Sequence, residues 1–335
     1  MSLTNAQISE LCALESDRQE DRKAKALRRA ARLALEWPVE VAALVADGRS
    51  PTELAGVGPY TAGLINGWLE DPPEIPDPPP LRAGFITLAA ARAAMATDPE
   101  RVALADLQMH TVASDGNATL EEMVDACRRY EFIAITDHTK GLKIAGGMDE
   151  EGFAAQGAEI DALNATRTEP PRVLKSMEMN LDPEGAGDME PEVFNGLDLV
   201  LGAFHSKLRL KEDQTTRYQA AIRNRTVDVL AHPRCRMFNF RLGLSADWDA
   251  VFQTAADEGM VLEIDCHPNR QDLNVDLLRV AKDYDVTFSI GTDAHSTEEL
   301  EFIDIGIGAT ILAGIPRERV LNLNPWTGAP RRTSK

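Results

Sequence analysis

The sequence predicts an α/β barrel of seven strand–helix units that follows a small all-α domain at the N terminus. Seven apolar runs recur from residue 102 onward: "VALADLQM", "FIAITD", "RVLKSMEM", "LDLVLGAF", "VDVLA", "MVLEID" and "VTFSIGTD". Most are continuous rather than alternating, as expected for strands buried on both faces of a parallel sheet. Helix-forming segments separate most of the runs, which is the pattern of β/α units. Polar residues that can bind metals or take part in catalysis follow the strand ends, where barrels place their functional side chains.

The N-terminal region favours helices and ends at a proline-rich boundary. "SDRQEDRKAKALRRAARLALEW" is rich in helix formers, and Ser16 with Gln19 predicts a capping box at its start. "DPPEIPDPPP", residues 71–80, cannot form a helix interior or a central strand and is predicted to be a stiff linker. We therefore expect a helical domain over 1–70, a linker with a connecting helix over 71–100, the barrel over 101–325 and a flexible tail over 326–335.

Composition excludes several classes of protein. A net charge of -19 and a pI near 4.8 argue against a protein that coats nucleic acid without specificity. No apolar run approaches the ~20 residues that span a membrane. The first residues also lack the basic segment followed by an apolar segment that is typical of a secretory signal. The four cysteines are scattered without a CxxC pair and are expected to be reduced thiols. We therefore expect a cytoplasmic protein with no membrane partner.

Histidines and acids collect at the predicted strand ends. The acids are Asp115, Asp137, Glu178, Asp265 and Asp293, and the six histidines are His110, His138, His205, His232, His267 and His295. A single histidine is more often a surface or hydrogen-bonded core residue than a ligand, but six of six at strand ends is hard to explain that way. Imidazole with carboxylate suits zinc, manganese or iron, and the lack of cysteine in the pattern argues against a closed structural zinc site. Such centres serve hydrolysis.

Spacing adds detail at two of these strand ends. Gln108 and His110 are two residues apart on the first predicted strand, so both should point to one face. Asp293 and His295 share that spacing at the last predicted strand. The sequence therefore predicts that each pair faces a common site.

The strand-end motifs resemble those of a known family. "ADLQMHTVASDG", "AITDHT", "SMEMN", "GAFHS", "LAHPR" and "GTDAHS" resemble the successive motifs of the PHP (polymerase and histidinol phosphatase) phosphoesterases. The similarity is greatest to the PHP domain at the C terminus of bacterial family X DNA polymerases, and it covers roughly residues 100–325. It implies a distorted (β/α)7 barrel that binds two to three divalent ions, manganese, zinc or iron. It also implies hydrolysis of phosphate esters by a metal-activated hydroxide, so that no protein nucleophile is needed.

The resemblance also implies a set of site residues. Eight positions of the family's ligand pattern have acceptable counterparts here: His110, Asp115, His138, Glu178, His205, His232, Asp293 and His295. By resemblance, Glu178 bridges two metals, sharing one with His110 and Asp293 and the other with His205 and His232. The remaining three ligands hold a third metal, and Glu178, Asp293 and His205 are expected to be central to catalysis.

One ligand position departs from the family pattern. Gln108 stands where the usual motif has a histidine. Its neutral amide oxygen binds a metal only weakly, so the first metal position is in question. The other two positions keep full ligand sets, and random decay of a dead enzyme would be expected to damage more than one position. An active or partly active site is therefore favoured.

Residues beside the ligands are candidates for substrate contact. Lys207 and Arg234 are expected to grip substrate phosphate, with ordinary surface charges as the alternative. His267 lies at the rim of the site and is a further candidate contact. Asp137, next to a ligand position, is expected to orient a ligand rather than to bind metal.

The small domain carries a second resemblance. "PTELAGVGPYTAGLINGWL", residues 51–69, resembles a helix-hairpin-helix, in which Gly56 and Gly58 permit a tight turn and the next helix presents N–H groups to phosphate. The preceding basic residues fit a phosphate-contacting face or, alternatively, a solvated face paired with neighbouring acids. The basic residues with this expected role are Lys25, Arg28 and Arg29. DNA ends are therefore one expected partner.

The sequence thus predicts a metal-dependent phosphoesterase, with action on DNA 3' ends as exonuclease or phosphatase as one form of it. Two alternatives stay open. One is a small-molecule phosphatase of the histidinol-phosphatase type, and the other is a DNA-binding scaffold whose metal site is impaired at Gln108. No paired-aspartate polymerase motif precedes the barrel, so polymerase activity is not expected.

Overall fold

A computed structural model describes residues 2–328, so most of the predicted tail lies outside the described residues. Within this range no helix has both the length and the apolar character needed to cross a membrane. The helices are α1 (Asn5–Asp17), α2 (Asp21–Leu33), α3 (Val41–Ala46), α4 (Pro59–Glu70), α5 (Leu88–Met95), α6 (Leu120–Ala126), α7 (Glu150–Thr166), α8 (Thr215–Arg223), α9 (Trp248–Glu258), α10 (Val275–Ala281) and α11 (Ile303–Ala313). The strands are β1 (Ala105–Asp106), β2 (Phe132–Ile135), β3 (Arg172–Leu181), β4 (Leu199–Phe204), β5 (Val229–Leu230), β6 (Val261–Asp265) and β7 (Thr287–Gly291).

The seven strands form one parallel sheet in sequence order, β1 to β7. The sheet curls until its two edges meet. The Leu107 N–H donates to the Ile290 carbonyl at 3.2 Å, and the Asp293 N–H donates to the Gln108 carbonyl at 3.0 Å. The predicted seven-stranded α/β barrel is therefore confirmed.

Alternation along the strands separates an inner and an outer core. Leu174 and Leu201 belong to a cluster that fills the lower barrel, whereas Val173 and Val200 belong to the larger cluster packed under the helices. Because side chains alternate with a period of two, the inward face of β3 continues from Leu174 to Glu178. Apolar side chains thus fill the bottom of the barrel, and a carboxylate emerges at its top.

The first strand is shorter than its apolar run predicts. β1 spans only Ala105–Asp106, because the buried Asp106 carboxylate takes over bonds that a strand ladder would otherwise supply. It accepts from the Thr292 hydroxyl at 2.6 Å, the Thr292 N–H at 3.1 Å and the Gln108 N–H at 3.3 Å. Gln108 and His110 therefore lie beyond the strand, and so do Asp293 and His295, since β7 ends at Gly291.

The N-terminal helices have their own apolar cluster, which includes Ile8, Leu27, Trp37 and Ile65. The predicted capping box at Ser16 is wrong, because Ser16 lies inside α1. Its hydroxyl donates to the Ala13 carbonyl at 2.7 Å and is therefore not free to cap α2. The helix predicted to start at Ser16 begins instead at Asp21, as α2, and α1 precedes it.

A buried ion pair fixes the N-terminal helices against the barrel. Arg82, which follows the proline-rich segment, donates from two nitrogens to the Glu10 carboxylate, both at 2.7 Å. The side chains are only 10% and 7% exposed, so water screens this pair little. The Leu88 N–H adds a bond of 2.8 Å to the Leu35 carbonyl. The helices are therefore held beside the barrel's C-terminal edge.

Candidate metal centre

The C-terminal edge of the barrel brings the candidate ligands together. Glu178 lies on β3. The other residues lie in the loops that follow β1, β2, β4, β5 and β7. Because the carboxyl ends of parallel strands meet at one end of a barrel, residues distant in sequence converge there. The converging residues are His110, Asp115, His138, Glu178, His205, His232, Asp293 and His295.

Glu178 is the centre of this cluster and is fully buried. Its Oε1 lies 3.1 Å from Nε2 of His205 and 2.8 Å from Nε2 of His232. Its Oε2 lies 3.4 Å from Nε2 of His110 and 3.3 Å from Nδ1 of His138. Four imidazoles therefore surround one carboxylate.

Three overlapping sets of ligand atoms lie close enough to share an ion, with all atoms of a set within 4.8 Å of one another. The resemblance implied a group of Asp115, His138 and His295, and the structure brings these three together with His110. His232 belongs to none of the three sets found among residues 2–328, although it contacts Glu178. The sets are His110, Asp115, His138 and His295; His138, Glu178 and His205; and His110, Glu178 and Asp293.

Buried imidazole nitrogens that form no hydrogen bond indicate that the cluster is built for cations. His110 stacks on His138 and on His295, each at a centroid distance of 4.5 Å. Nδ1 of His110 and Nδ1 of His138 are buried without a hydrogen bond, which is uncommon for polar atoms in a folded protein. Imidazole and carboxylate donors match the preferences of zinc, manganese and iron. The residues present therefore fit a cluster of divalent ions.

The electrostatics of the cluster divide its histidines into two kinds. Burial opposes protonation, but the carboxylates of Asp293 and Glu178 outweigh it and raise the pKa of His110 well above 6.5. Glu178 does the same for His232, whose pKa is also raised. At His138 burial dominates and lowers the pKa to about 4. Without metal, His110 and His232 therefore carry protons at neutral pH that a metal must displace.

Gln108 is oriented with its nitrogen toward the cluster. Nε2 donates to Oε2 of Glu178 at 3.2 Å, whereas the buried Oε1 has no hydrogen-bond partner. A Cβ at Gly291 would lie 2.6 Å from Cβ of Gln108 and 2.5 Å from Oε1 of Glu263, so glycine is needed for this approach. In this orientation Gln108 is a hydrogen-bond donor to Glu178 and not the weak oxygen ligand that the sequence indicated.

Arg270 is a site residue that the sequence pattern did not predict. Nη1 lies 2.6 Å from Oδ2 of Asp293, while Oδ1 of Asp293 lies 3.0 Å from Nε2 of His110. Burial of Asp293 is offset by the Arg270 charge, which holds the pKa of that carboxyl well below 3.8. The pattern of histidines and acids does not include an arginine, although "HPNRQD" places this one directly after β6 like the other site residues. A fixed cation thus stands beside the first metal position.

The predicted role of Asp137 is corrected by its contacts. Its carboxylate accepts from the Thr111 N–H at 2.8 Å, the Thr111 hydroxyl at 2.7 Å and Gln156 Nε2 at 2.6 Å. The Ser114 hydroxyl also donates to it. Asp137 therefore fixes the loop that carries Asp115, and its carboxylate bonds go to that loop and α7 rather than to a ligand side chain.

The predicted substrate contacts lie around the mouth of the site. Lys207 is exposed in the loop after β4, and the half-buried Arg234 donates to the Leu242 carbonyl at 3.0 Å. His267 lies outside the ligand sets, edge-on to Phe302 at 5.8 Å, and burial lowers its pKa to about 4. It lines a cleft of about 670 Å³ between the N-terminal helices and the barrel edge. Other residues of this cleft include Arg32, Trp37, Ser296 and Glu299.

The hairpin before α4 requires only one of its two predicted glycines. Gly56 has a φ of +75°, and a Cβ there would lie 2.4 Å from Cδ1 of Leu33 on α2. A Cβ at Gly58, which precedes α4, would meet no atom within 4 Å, so packing does not demand glycine there. The exposed α2 residues Lys25, Arg28 and Arg29 form no ion pair within 4.0 Å among residues 2–328, so the expected pairing with acids is not seen.

Comparison with known proteins places the barrel among phosphate-ester enzymes. No family model matches the chain. It is 37% identical over 220 residues to the DNA polymerase/3'-5' exonuclease PolX of Bacillus subtilis, covering 65% of this chain and 38% of that protein. It is 25% identical over 234 residues to the probable phosphatase YcdX of Escherichia coli K12, covering 66% of this chain and 90% of that protein. The chain therefore spans well under half of the Bacillus relative.

A solved structure gives a weaker likeness. The crystal structure of a histidinol phosphate phosphatase from Lactococcus lactis, complexed with zinc, L-histidinol and phosphate, matches with a TM-score of 0.44 at 15% identity. The match covers 63% of this chain and 94% of that chain. A likeness at this level carries no weight for the site, which rests on the contacts described above.

Proposed function

Because the barrel of this chain belongs to the PHP family of phosphoesterases, we propose that it hydrolyses phosphate esters with divalent ions held at its C-terminal edge. The observation that carries the proposal is Glu178, a fully buried carboxylate with four imidazoles 2.8–3.4 Å from its oxygens. Burial of a charge costs free energy unless the charge is paired or binds a metal. A hydrophobic core would stabilise the barrel better than this cluster, so we infer a role in binding ions rather than in folding.

We assign the ions to the eight residues that converge around Glu178. Divalent ions held there would lower the pKa of water and offset the charge of a phosphate. Manganese, zinc and iron are the ions that suit these donors. The ligands are His110, Asp115, His138, Glu178, His205, His232, Asp293 and His295, with Glu178, Asp293 and His205 central to catalysis.

The chain's own contacts hold these ligands in place. Nδ1 of His205 lies 3.2 Å from Oδ1 of Asn180, so Nδ1 carries the proton and Nε2 keeps a free lone pair toward Glu178. Nδ1 of His295 donates to the Asp293 carbonyl at 2.8 Å, which leaves Nε2 facing Asp115 at 3.3 Å. Such bonds fix both the tautomer and the ring orientation of a ligating histidine.

Positive side chains at the mouth would receive the substrate phosphate. The chain's net charge of -19 repels a phosphate, so local cations must compensate for it. Arg270 is 27% exposed, and its guanidinium has donors beyond the Nη1 that faces Asp293. We propose Arg270, Lys207 and Arg234 as phosphate contacts, with His267 at the outer edge.

Hydrolysis of a small aryl phosphate tests this function. Protein reconstituted with Mn²⁺ should release phosphate, and His205→Ala should abolish release because one of the ligands beside Glu178 is lost. Arg279→Ala, an exposed change on α10, is the control for handling and should match the wild type. Activity that survives His205→Ala would place the reaction elsewhere in the molecule or in a contaminant.

We also propose DNA ends as a substrate, bound in part by the N-terminal helices. Arg22, Lys25, Arg28, Arg29 and Arg32 lie within about 120° of arc on α2, since a helix turns about 100° per residue. The first four are exposed without an ion pair in the described part of the chain. The hairpin with Gly56 and Gly58 packs beside this face. Lys25→Glu with Arg29→Glu should weaken duplex-end binding, measured by fluorescence anisotropy.

The separate apolar cluster of the N-terminal helices supports the predicted domain boundaries. It contains residues from Leu3 to Ile75, whereas the outer barrel cluster begins at Ile86. We therefore propose a helical domain over 1–70 and a barrel over 101–325, joined by a linker and α5 over 71–100. Limited proteolysis should cut first within residues 71–80, which form no helix or strand.

A further inference from the structure

Two loops beside the metal cluster form a cationic rim in an otherwise acidic protein. The loop after β4 (residues 205–214) and the loop after β5 (residues 231–247) together contain six lysines or arginines. Their three acids, Glu212, Asp213 and Asp247, lie at the loop ends next to α8 and α9. Arg236 is used internally, since it is buried and donates to the Ala83 carbonyl at 3.0 Å. The other five define what we call the rim: Lys207, Arg209, Lys211, Arg234 and Arg241.

The rim cations form no close ion pairs with acids. Among residues 2–328 none of the five forms an ion pair within 4.0 Å, although the chain carries 54 acids against 35 bases. Arg241 instead donates to the Cys235 carbonyl, and Arg234 to the Leu242 carbonyl. The buried Asp272 offsets part of the charge of Arg234 and Arg241. The positive charge that remains attracts a ligand with several negative charges. Five cations exceed what one phosphate group requires.

An exposed aromatic ring lies within the rim. Phe240 is 54% exposed, and the guanidinium of Arg209 lies over its ring at 4.5 Å from the centroid. Leu242, on the same loop, is 51% exposed. An exposed aromatic ring with an arginine over one face is the kind of arrangement on which an unpaired nucleic-acid base stacks.

The rim is continuous with the metal cluster. Its two loops carry His205 and His232 near their starts, and the Nε2 atoms of these residues lie 3.1 and 2.8 Å from the same oxygen of Glu178. Arg241 interacts electrostatically with Arg270, and Arg270 contacts the cluster at Asp293. A chain of phosphates on the rim would therefore lead directly into the site.

We propose that the rim binds the last nucleotides of a single nucleic-acid strand, with a base on Phe240 and backbone phosphates on the rim cations. This inference rests on the proposed function for the fate of the strand end, but not for its binding. A duplex does not fit the same chemistry, because its bases are stacked internally and Glu178 lies at the bottom of a buried site. A small phosphate ester would reach the cluster and contact Lys207 and Arg234, but it would leave Arg209, Lys211, Arg241 and the Phe240 ring unused.

Fluorescence anisotropy with the Mn²⁺-loaded full chain tests the rim. The probe is a 5'-labelled oligothymidylate of about 12 nucleotides, within the ~4–16 that one binding module contacts. Phosphorothioate linkages at its 3' end slow hydrolysis. Phe240→Ala with Arg209→Ala should raise the Kd at least about 10-fold, because base stacking on an aromatic ring is lost. Phe240→Tyr should retain wild-type affinity, since the ring face is kept.

A matched double variant controls for loss of an exposed apolar side chain and an exposed arginine. Leu312→Ala with Arg279→Ala removes these from α11 and α10, outside the rim, and should leave the Kd unchanged. Equal strand affinity of the two double variants overturns the proposal. So does equal affinity for the strand and its duplex in the Lys25→Glu, Arg29→Glu protein, in which duplex binding by α2 is weakened. If the chain binds the strand but does not hydrolyse aryl phosphate, the proposed hydrolytic function is contradicted and the proposal that the rim binds a single strand is retained.

Discussion

The two sides of the Glu178 carboxylate differ in what surrounds them. On the Oε1 side, His205 and His232 approach at 3.1 and 2.8 Å, as a metal-binding pair would. On the Oε2 side, His110 and His138 lie at 3.4 and 3.3 Å. Gln108 also donates a hydrogen bond to Oε2 at 3.2 Å, where the family pattern has another imidazole. Arg270 adds a fixed positive charge 2.6 Å from Asp293 on that side. Both sides therefore carry imidazoles beside the carboxylate, but the Oε2 side already holds part of the positive charge that a divalent ion would bring.

This difference implies that a metal cluster can keep its hydrolytic activity after one ligand is replaced. A neutral amide removes an electron-pair donor, and a guanidinium nearby repels a dication while it still attracts phosphate. The Oε1 side and the group around Asp115 keep their donors and can serve hydrolysis without a third ion. Substitutions on each side should therefore have effects of different size.

Removing a ligand from the Oε1 side should have the largest effect. His232→Ala should lower kcat/KM for an aryl phosphate by more than about 100-fold, beyond the 10–100-fold typical of residues that only orient a ligand. Elemental analysis of the same sample should show metal lost. Retention of both activity and metal would mean that the Oε1 side is not a binding position.

Metal affinity should rise with pH. Burial opposes protonation of His110 and His232, but the adjoining carboxylates raise the pKa of both well above 6.5, so each holds a proton at pH 7 that must leave before a metal binds. The apparent affinity should therefore increase about tenfold per pH unit for each proton displaced, until the pH exceeds those pKa values. Calorimetry in buffers of different ionisation enthalpy counts the protons released. A pH-independent affinity would contradict the protonated state of the metal-free site.

Removing the fixed cation should separate substrate binding from metal binding. Arg270→Met should raise the KM for an aryl phosphate about 10-fold, because a charge-assisted bond to phosphate is lost. The metal content should not fall, since the carboxylate of Asp293 becomes free to bind an ion. Arg270→Lys should recover part of the affinity. A fall in metal content with unchanged KM would instead make Arg270 a support for the ligands alone.

Restoring the missing imidazole should have the smallest effect on rate. Gln108→His should add about one ion per chain by completing the first position, and should change kcat less than about 10-fold if the other ions suffice. Gln108→Leu, which removes the amide without adding a donor, is the control and should gain no ion. Equal metal content in all three proteins would show that Arg270, rather than Gln108, excludes the ion.

The sequence predicted the barrel well because its signals are local and repeated. Continuous apolar runs separated by helices specify parallel strands, and polar residues after each run specify the active end. It failed where one side chain overrides the pattern. Asp106 shortens β1 by bonding to Thr292, a residue 186 positions away, and Ser16 bonds within α1 instead of capping α2.

The eight converging residues were predicted individually only through the family resemblance, because the strand-end pattern alone also included Asp137, Asp265 and His267. Histidines and acids at strand ends were recognised, and the structure brings eight of them together. Arginine is common on surfaces, so the inward turn of Arg270 toward Asp293 could not be read from its sequence position. The orientation of the Gln108 amide likewise depends on Glu178, 70 residues away.

The most direct test of a hydrolytic metal cluster is a titration in which metal content and hydrolysis are measured on the same sample of metal-depleted protein. We expect no hydrolysis of aryl phosphate at first, and activity that rises with Mn²⁺ until two to three ions are bound per chain, roughly the capacity of the eight-ligand cluster. Fewer than about one ion per chain after reconstitution, with no activity, would contradict the proposed function. That result would leave a DNA-binding scaffold as the better description.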